Sequence, residues 1–257
     1  MPLIDPVTMS SSIVKGSKSP TAVTTTSTKA AEPTQLHPVH TNPTSVSQAA
    51  RHIFPAALLA VFAASFNHLV ADPVSTLATY LPVCAVLQLC YALICLPVAG
   101  SPSGKARKHR PREKRKAGEA AGPNVIIAAV LSLVLTTLAV PVLYSAMILF
   151  GAPVLTHLPH TLLCAAHLAT LTVFPLVYVH GVDSSAWAAV AGLRAPFDET
   201  FGGLVGGFLG AWLGAVPIPL DWDREWQKWP VTILCGIYAG YLAGRVIGGT
   251  IAFGKKF

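Results

Sequence analysis

The stretch FGGLVGGFLGAWLG, residues 201–214, places Gly202, Gly206, Gly210 and Gly214 four residues apart inside an apolar run. CGIYAGYLAGRVIGG, residues 235–249, repeats the device with Gly236, Gly240, Gly244 and Gly248. A spacing of four keeps such residues on one strip of an α-helix. In lipid there is little hydrophobic drive between helices, and small residues let backbones approach and gain dispersion contacts. Two apolar runs with matching strips and a short connection predict a tightly packed antiparallel helix pair. The strips specify packing only, either against each other or against the helix of a partner.

The rest of the chain supports a membrane setting. Of 257 residues, 53% are hydrophobic and 11% charged, with a mean hydropathy of +0.57; an ordinary soluble domain carries about a quarter charged residues. Six apolar runs, at 53–71, 74–98, 125–150, 161–179, 201–220 and 231–253, approach or exceed the ~20 residues that cross a ~30 Å hydrocarbon core. The expected fold is an all-α membrane protein, a bundle of about six transmembrane helices ending in the glycine-rich pair. All five cysteines fall inside these runs, an odd and buried set that does not read as a disulfide framework.

Charge orients the spans. Residues 1–51 read as a disordered cytosolic tail, because Ser, Thr and Pro fill 23 of the first 50 positions and leave little apolar surface to bury. Residues 52–257 form the membrane domain, interrupted by a linker at 101–123. KARKHRPREKRK, residues 105–116, holds 8 of the 18 Lys and Arg. No aromatic residue interleaves with them, so no platform for stacking bases exists and a nucleic-acid partner is not expected. The stretch reads as a positive-inside signal or as a contact with anionic lipid. With an even number of spans, the tail, the linker, Arg194, Lys255 and Lys256 share the cytosolic side. Arg224 and Lys228 stand on the other.

Those two residues lie in PIPLDWDREWQKWP, residues 217–230, the most charged and most aromatic connection in the C-terminal half. Tryptophan favours the membrane–water boundary, and proline suits the ends of spans because it lacks an amide donor. Asp221, Trp222, Asp223, Arg224, Trp226 and Trp229 are the candidate residues for contact with a partner or a lipid headgroup. An anchored turn with no further role is the plain alternative. Arg245, inside the last span, is either a functional charge or a side chain that snorkels to the cytosolic face.

Catalytic constellations are scarce. His157, His160, Cys164 and His167 have zinc-ligand chemistry but extend along about 15 Å of helix, too far to converge on one ion. His180, Asp183, Ser184 and Ser185 are consecutive and lack the strand–turn–helix context of a nucleophile elbow. The acids near the 217–230 connection are few for metal-dependent group transfer. No catalytic residue, metal or cofactor is expected of this chain.

GAWLGAVPIPLDWDREWQKWPVTI, residues 210–233, closely resembles the signature of the PIG-F family of glycosylphosphatidylinositol (GPI) anchor biosynthesis proteins. LRAPFDETFGGLVG, residues 193–206, is similar to its fungal branch. The pattern is matched at Pro217, Pro219, Asp221, Trp222, Asp223, Arg224, Trp226, Gln227, Trp229 and Pro230, while Glu225 stands where many relatives have proline. The specific match covers residues 193–250. The resemblance implies a multi-pass endoplasmic-reticulum protein, a stabilising subunit for the large ethanolamine-phosphate transferases that modify the mannoses of the GPI precursor. It also implies that the large partner carries the luminal catalytic domain, with the GPI lipid a further contact. The contrasting reading is a small intramembrane phosphoethanolamine transferase using Asp221 and Asp223.

Overall fold

A computed structural model describes residues 36–101, 124–220 and 222–256. The basic stretch 105–116, Asp221 and most of the Ser/Thr/Pro-rich tail lie outside these residues. Among the described residues the regular structure is helical throughout. Helices α1 (Ser45–Ala71), α2 (Pro73–Cys95) and α3 (Val125–Leu149) are followed by α4 (Leu158–Leu168), a π-helical turn (Ala169–Val173) and α5 (Phe174–His180). A short α6 (Ser184–Ala191) then leads to α7 (Glu199–Gly214) and α8 (Val231–Gly249).

Among the described residues, five helices are long and apolar enough to cross a membrane: α1, α2, α3, the continuous Leu158–His180 unit and α8. The sixth apolar run, 201–220, is helical only to Gly214, with turns beyond it. Pro217 and Pro219 explain the stop, since neither offers an amide to the preceding turn. At 16 residues α7 is about 24 Å long, and its pairing with α8 places it in the bundle. The terminal end holds the start of α1, the start of α7 and the end of α8. The hinge end holds the α1–α2 turn, the start of α4 and the α7–α8 connection.

Local chemistry explains the boundaries. Asp72 closes α1, and its carboxylate accepts the Ser75 amide at the start of α2, with Pro73 in the first position. Asn124 caps α3 through the amides of Ile126 and Ile127. Asp198 caps α7 by accepting from the amides of Thr200 and Phe201, and its other oxygen accepts the Val39 amide at 2.9 Å. The segment ahead of α1 is thereby held against the terminal end, where Asn42 also donates to the carbonyls of Cys95 and Ile94.

The Leu158–His180 unit is the most buried span and forms the centre of the bundle. α3 packs on it from outside and exposes Ile126, Ile127, Leu138 and Val142, an apolar face suited to lipid. The π-helical turn falls where Pro175 has no amide for the Leu171 carbonyl four residues earlier. Gln88 of α2, fully buried, donates Nε2 to that carbonyl at 3.0 Å. A buried carbonyl left without a donor would cost about 1–3 kcal/mol.

Candidate functional site: the zipped helix pair and its hinge

The two glycine strips face each other. A Cβ on Gly206 would fall on the Gly240 carbonyl oxygen and lie 2.7 Å from Gly244 Cα. A Cβ on Gly210 would meet the Gly236 carbonyl, one on Gly202 the Gly244 carbonyl, and one on Gly214 the Thr232 carbonyl. The relation is reciprocal for Gly236, Gly240 and Gly244, while Gly248 abuts the Asp198 carbonyl. Of the two placements open to the strips, against each other or under a partner's helix, the structure shows the first. Beside the strip, Gly203 and Gly207 accommodate the Tyr241 ring and the Thr172 methyl.

A second face of α8 carries polar side chains, each tied to another helix. His167 Nδ1 lies 2.8 Å from the Tyr238 hydroxyl and Nε2 lies 3.2 Å from the Leu77 carbonyl. Because a carbonyl only accepts, Nε2 carries the proton and Nδ1 accepts from Tyr238. The Tyr241 hydroxyl meets Gln88. Nearest the terminal end, Arg245 donates to Glu199 Oε2 from Nε at 3.2 Å and from Nη2 at 3.0 Å. The Tyr91 hydroxyl donates to the same oxygen at 2.7 Å, and Arg51 pairs with Oε1. The guanidinium of Arg245 also lies 3.9 Å from the Tyr91 ring centroid and 4.7 Å from that of Phe54. Arg245 is only 3% exposed. It therefore does not snorkel; it shares the Glu199 carboxylate with Arg51 and lies against two aromatic faces, while its Nη1 has no hydrogen-bond partner.

At the opposite end the connection is folded on itself. Gln227 donates Nε2 to the carbonyls of Pro217 at 2.8 Å and Leu220 at 3.1 Å, while its Oε1 accepts the Arg224 amide. One amide side chain thus spans the loop. Trp229 Nε1 donates to Thr161 Oγ1 at 3.1 Å, joining the hinge to α4, and Trp226 packs on the main core. Trp222, Asp223 and Arg224 remain exposed at the tip. Trp222 reaches Trp226 with ring centroids 5.7 Å apart, and Asp223 occupies the left-handed region at φ 48, which aspartate tolerates better than most residues. Of the six hinge candidates, Trp226 and Trp229 anchor, Trp222, Asp223 and Arg224 project, and Asp221 is outside the described residues.

The other sequence candidates separate. Cys164 and His167 are buried in the bundle, whereas His157 and His160 stay at the hinge end with rings 4.9 Å apart. Among the described residues no three His, Cys, Asp or Glu side chains are grouped to hold a metal ion. Asp183 caps α6; the Ser185 hydroxyl and amide donate to it and hold its carboxyl below the usual range. The residues that sequence reasoning missed are Glu199, Arg51, Tyr91, Gln88 and Tyr238, whose partners are remote along the chain.

Fold and site together define a polytopic helical membrane protein with a glycine-zipped C-terminal pair and a tryptophan-rich hinge. The profile described as "GPI biosynthesis protein family Pig-F" matches residues 53–249, and the chain belongs to that family. The chain is 59% identical over 273 residues to "Glycosylphosphatidylinositol anchor biosynthesis protein 11" of Neurospora crassa, covering 100% of both. It is 51% identical over 259 residues to the protein of that name in Pyricularia oryzae, covering 98% of this chain and 96% of the relative. A Homo sapiens protein named "GPI ethanolamine phosphate transferase, stabilizing subunit" is 39% identical over 104 residues, 39% of this chain and 48% of that protein. No solved structure matches the chain.

Proposed function

We propose that this chain is a non-catalytic stabilising subunit of the ethanolamine-phosphate transferases that modify the mannoses of the GPI precursor. It works in the endoplasmic-reticulum membrane with both termini cytosolic and the hinge at the luminal boundary. The zipped α7–α8 pair is a stiff post, and the hinge presents Trp222, Asp223 and Arg224 at its tip to the large catalytic subunit. Residues 1–51 lie on the cytosolic side, the last seven of them in the opening turns of α1 and not in a disordered tail, and the 101–123 linker lies on the same side.

The observation that carries this reading is the division of labour among the polar residues. Glu199 and Arg245 are committed to one buried network, and Gln227 and Trp229 to holding the hinge. The charged groups left projecting sit beside an exposed tryptophan on a braced loop. Such an amphipathic and preorganised tip suits recognition, because little ordering entropy remains to oppose binding. The names carried by the human and fungal relatives support the same assignment.

The test compares transferase abundance and specific activity in membranes with and without this chain. Loss of the transferase from membranes lacking the chain supports the assignment. Undiminished level and activity contradict it.

A further inference from the structure

At the hinge end a cleft of about 560 Å³ opens between the last turn of α1, the first turn of α4 and the hinge. Its polar lining is Asn67, His157, His160, Glu225 and Lys228, and Trp229 contributes an aromatic wall. The volume lies within the ~300–1,000 Å³ range of small-molecule sites. We infer that this cleft binds the headgroup of a zwitterionic phospholipid, with its phosphate toward Lys228 and the α4 histidines and its ammonium toward Glu225.

Charge is the first support. Glu225 and Lys228 lie on one rim, pair with each other, and keep side-chain exposures of 72% and 63%. Mutual pairing of two exposed groups is weak. A ligand carrying both signs can replace that pair with two ligand contacts, whereas a purely anionic ligand would face Glu225 uncompensated. The opening of α4 is the second support. The His157 side chain turns to the Thr156 hydroxyl and makes no cap bond to the helix, and Pro159 follows in the first turn. The positive end of the helix dipole therefore has no side-chain acceptor from its cap residue. Thirdly, the His160 side chain is half-buried in the wall of the cleft, with its ring beside that of His157.

Position selects a lipid over a soluble ligand. The cleft backs onto the apolar end of α1 through Val70 and Ala71, and its remaining wall is a tryptophan of the boundary cluster. Trp229 is held in place by Thr161, so the wall is fixed before the lipid arrives. A headgroup can enter with its acyl chains along the exposed face of the bundle. This binding belongs to the chain itself and requires no transferase.

The full chain, purified in detergent, is titrated with short-chain phosphatidylcholine, phosphatidylethanolamine, phosphatidylglycerol, diacylglycerol and inorganic phosphate, with occupancy read by native mass spectrometry. The expected result is one phosphatidylcholine or phosphatidylethanolamine per chain in preference to the other three probes. Combined Lys228→Met and His160→Ala should weaken that occupancy about tenfold, the loss of a charged hydrogen bond. Glu225→Gln should shift the preference toward phosphatidylglycerol. Leu138→Ala on the outer face of α3 should leave binding unchanged, and thermal unfolding checks that each variant remains folded. Equal occupancy by diacylglycerol or phosphatidylglycerol, competition by inorganic phosphate at matched concentration, or unchanged binding in the folded double variant would overturn the inference. None of these outcomes bears on whether the transferase needs this chain.

Discussion

Arg245 Nη2 lies 3.0 Å from Glu199 Oε2 in the interior of the bundle, joining the far ends of the two helices whose near ends meet at the hinge. Glu199 is 6% exposed and also receives Tyr91 and Arg51. The glycine zipper gives the pair its closeness, and this network fastens it to α1 and α2.

Glu199→Gln should be among the most damaging single substitutions, because it leaves two guanidinium groups without their carboxylate. Breaking a buried pair on one side costs about 3–5 kcal/mol. Arg51→Gln should cost less, since Arg51 is partly exposed and its loss leaves Arg245 in place. Replacing Glu199 and Arg245 together by methionine should recover part of the Glu199→Gln loss. Thermal unfolding in detergent measures all three; equal midpoints for Glu199→Gln and Arg51→Gln would contradict the network as drawn.

Gly206→Ala puts a methyl group on the Gly240 carbonyl, a backbone atom that cannot turn aside. The helices must separate locally, at a cost of about 1–3 kcal/mol by the usual scale of overpacking. Leu209→Ala, on the exposed side of α7, is the larger change in side-chain size yet should shift the unfolding midpoint less. The reverse order would place the glycine strip outside the helix contact.

Gln88→Leu should destabilise by about 1–3 kcal/mol because the Leu171 carbonyl loses its donor. Adding Pro175→Ala returns a backbone amide four residues after Leu171, so the double variant should be more stable than Gln88→Leu alone. Failure of that rescue, read from the same unfolding curves, would show that the carbonyl is not what Gln88 serves.

Gln227→Ala frees three hydrogen bonds of the hinge without touching the bundle. Faster amide exchange confined to residues 222–228 is the expected outcome, with little change in the global midpoint. Exchange that rises equally throughout α7 and α8 would mean that the hinge is not a separate unit.

Much of this architecture is legible in the chain. Apolar runs mark the spans, and the four-residue glycine spacing identifies a close helix contact without structural information. The proline-rich stop after Gly214 is equally visible, although the shortness of α7 is not, because hydropathy continues through Val216, Ile218 and Leu220. Glu199 is hidden for a physical reason. An acid in the first turn of a helix, next to Asp198, reads as an ordinary complement to the helix dipole. Only tertiary packing brings it to Arg51, Tyr91 and Arg245. Gln88 had a signal: Pro175 within an apolar span frees a carbonyl that something must satisfy. The division of the hinge into anchors and a projecting tip depends on Gln227 reaching back to Pro217, a local contact that sequence spacing does not reveal.

If the hinge tip recognises the transferase and takes no part in its chemistry, its loss should separate transferase abundance from turnover. Cells carrying Trp222→Ala, Asp223→Ala and Arg224→Ala together, at normal levels of this chain, provide the direct measurement: transferase abundance in the membrane and turnover per transferase molecule. The expected result is a fall in abundance with turnover per molecule retained in what survives. Normal abundance of an assembled transferase with turnover abolished would contradict it.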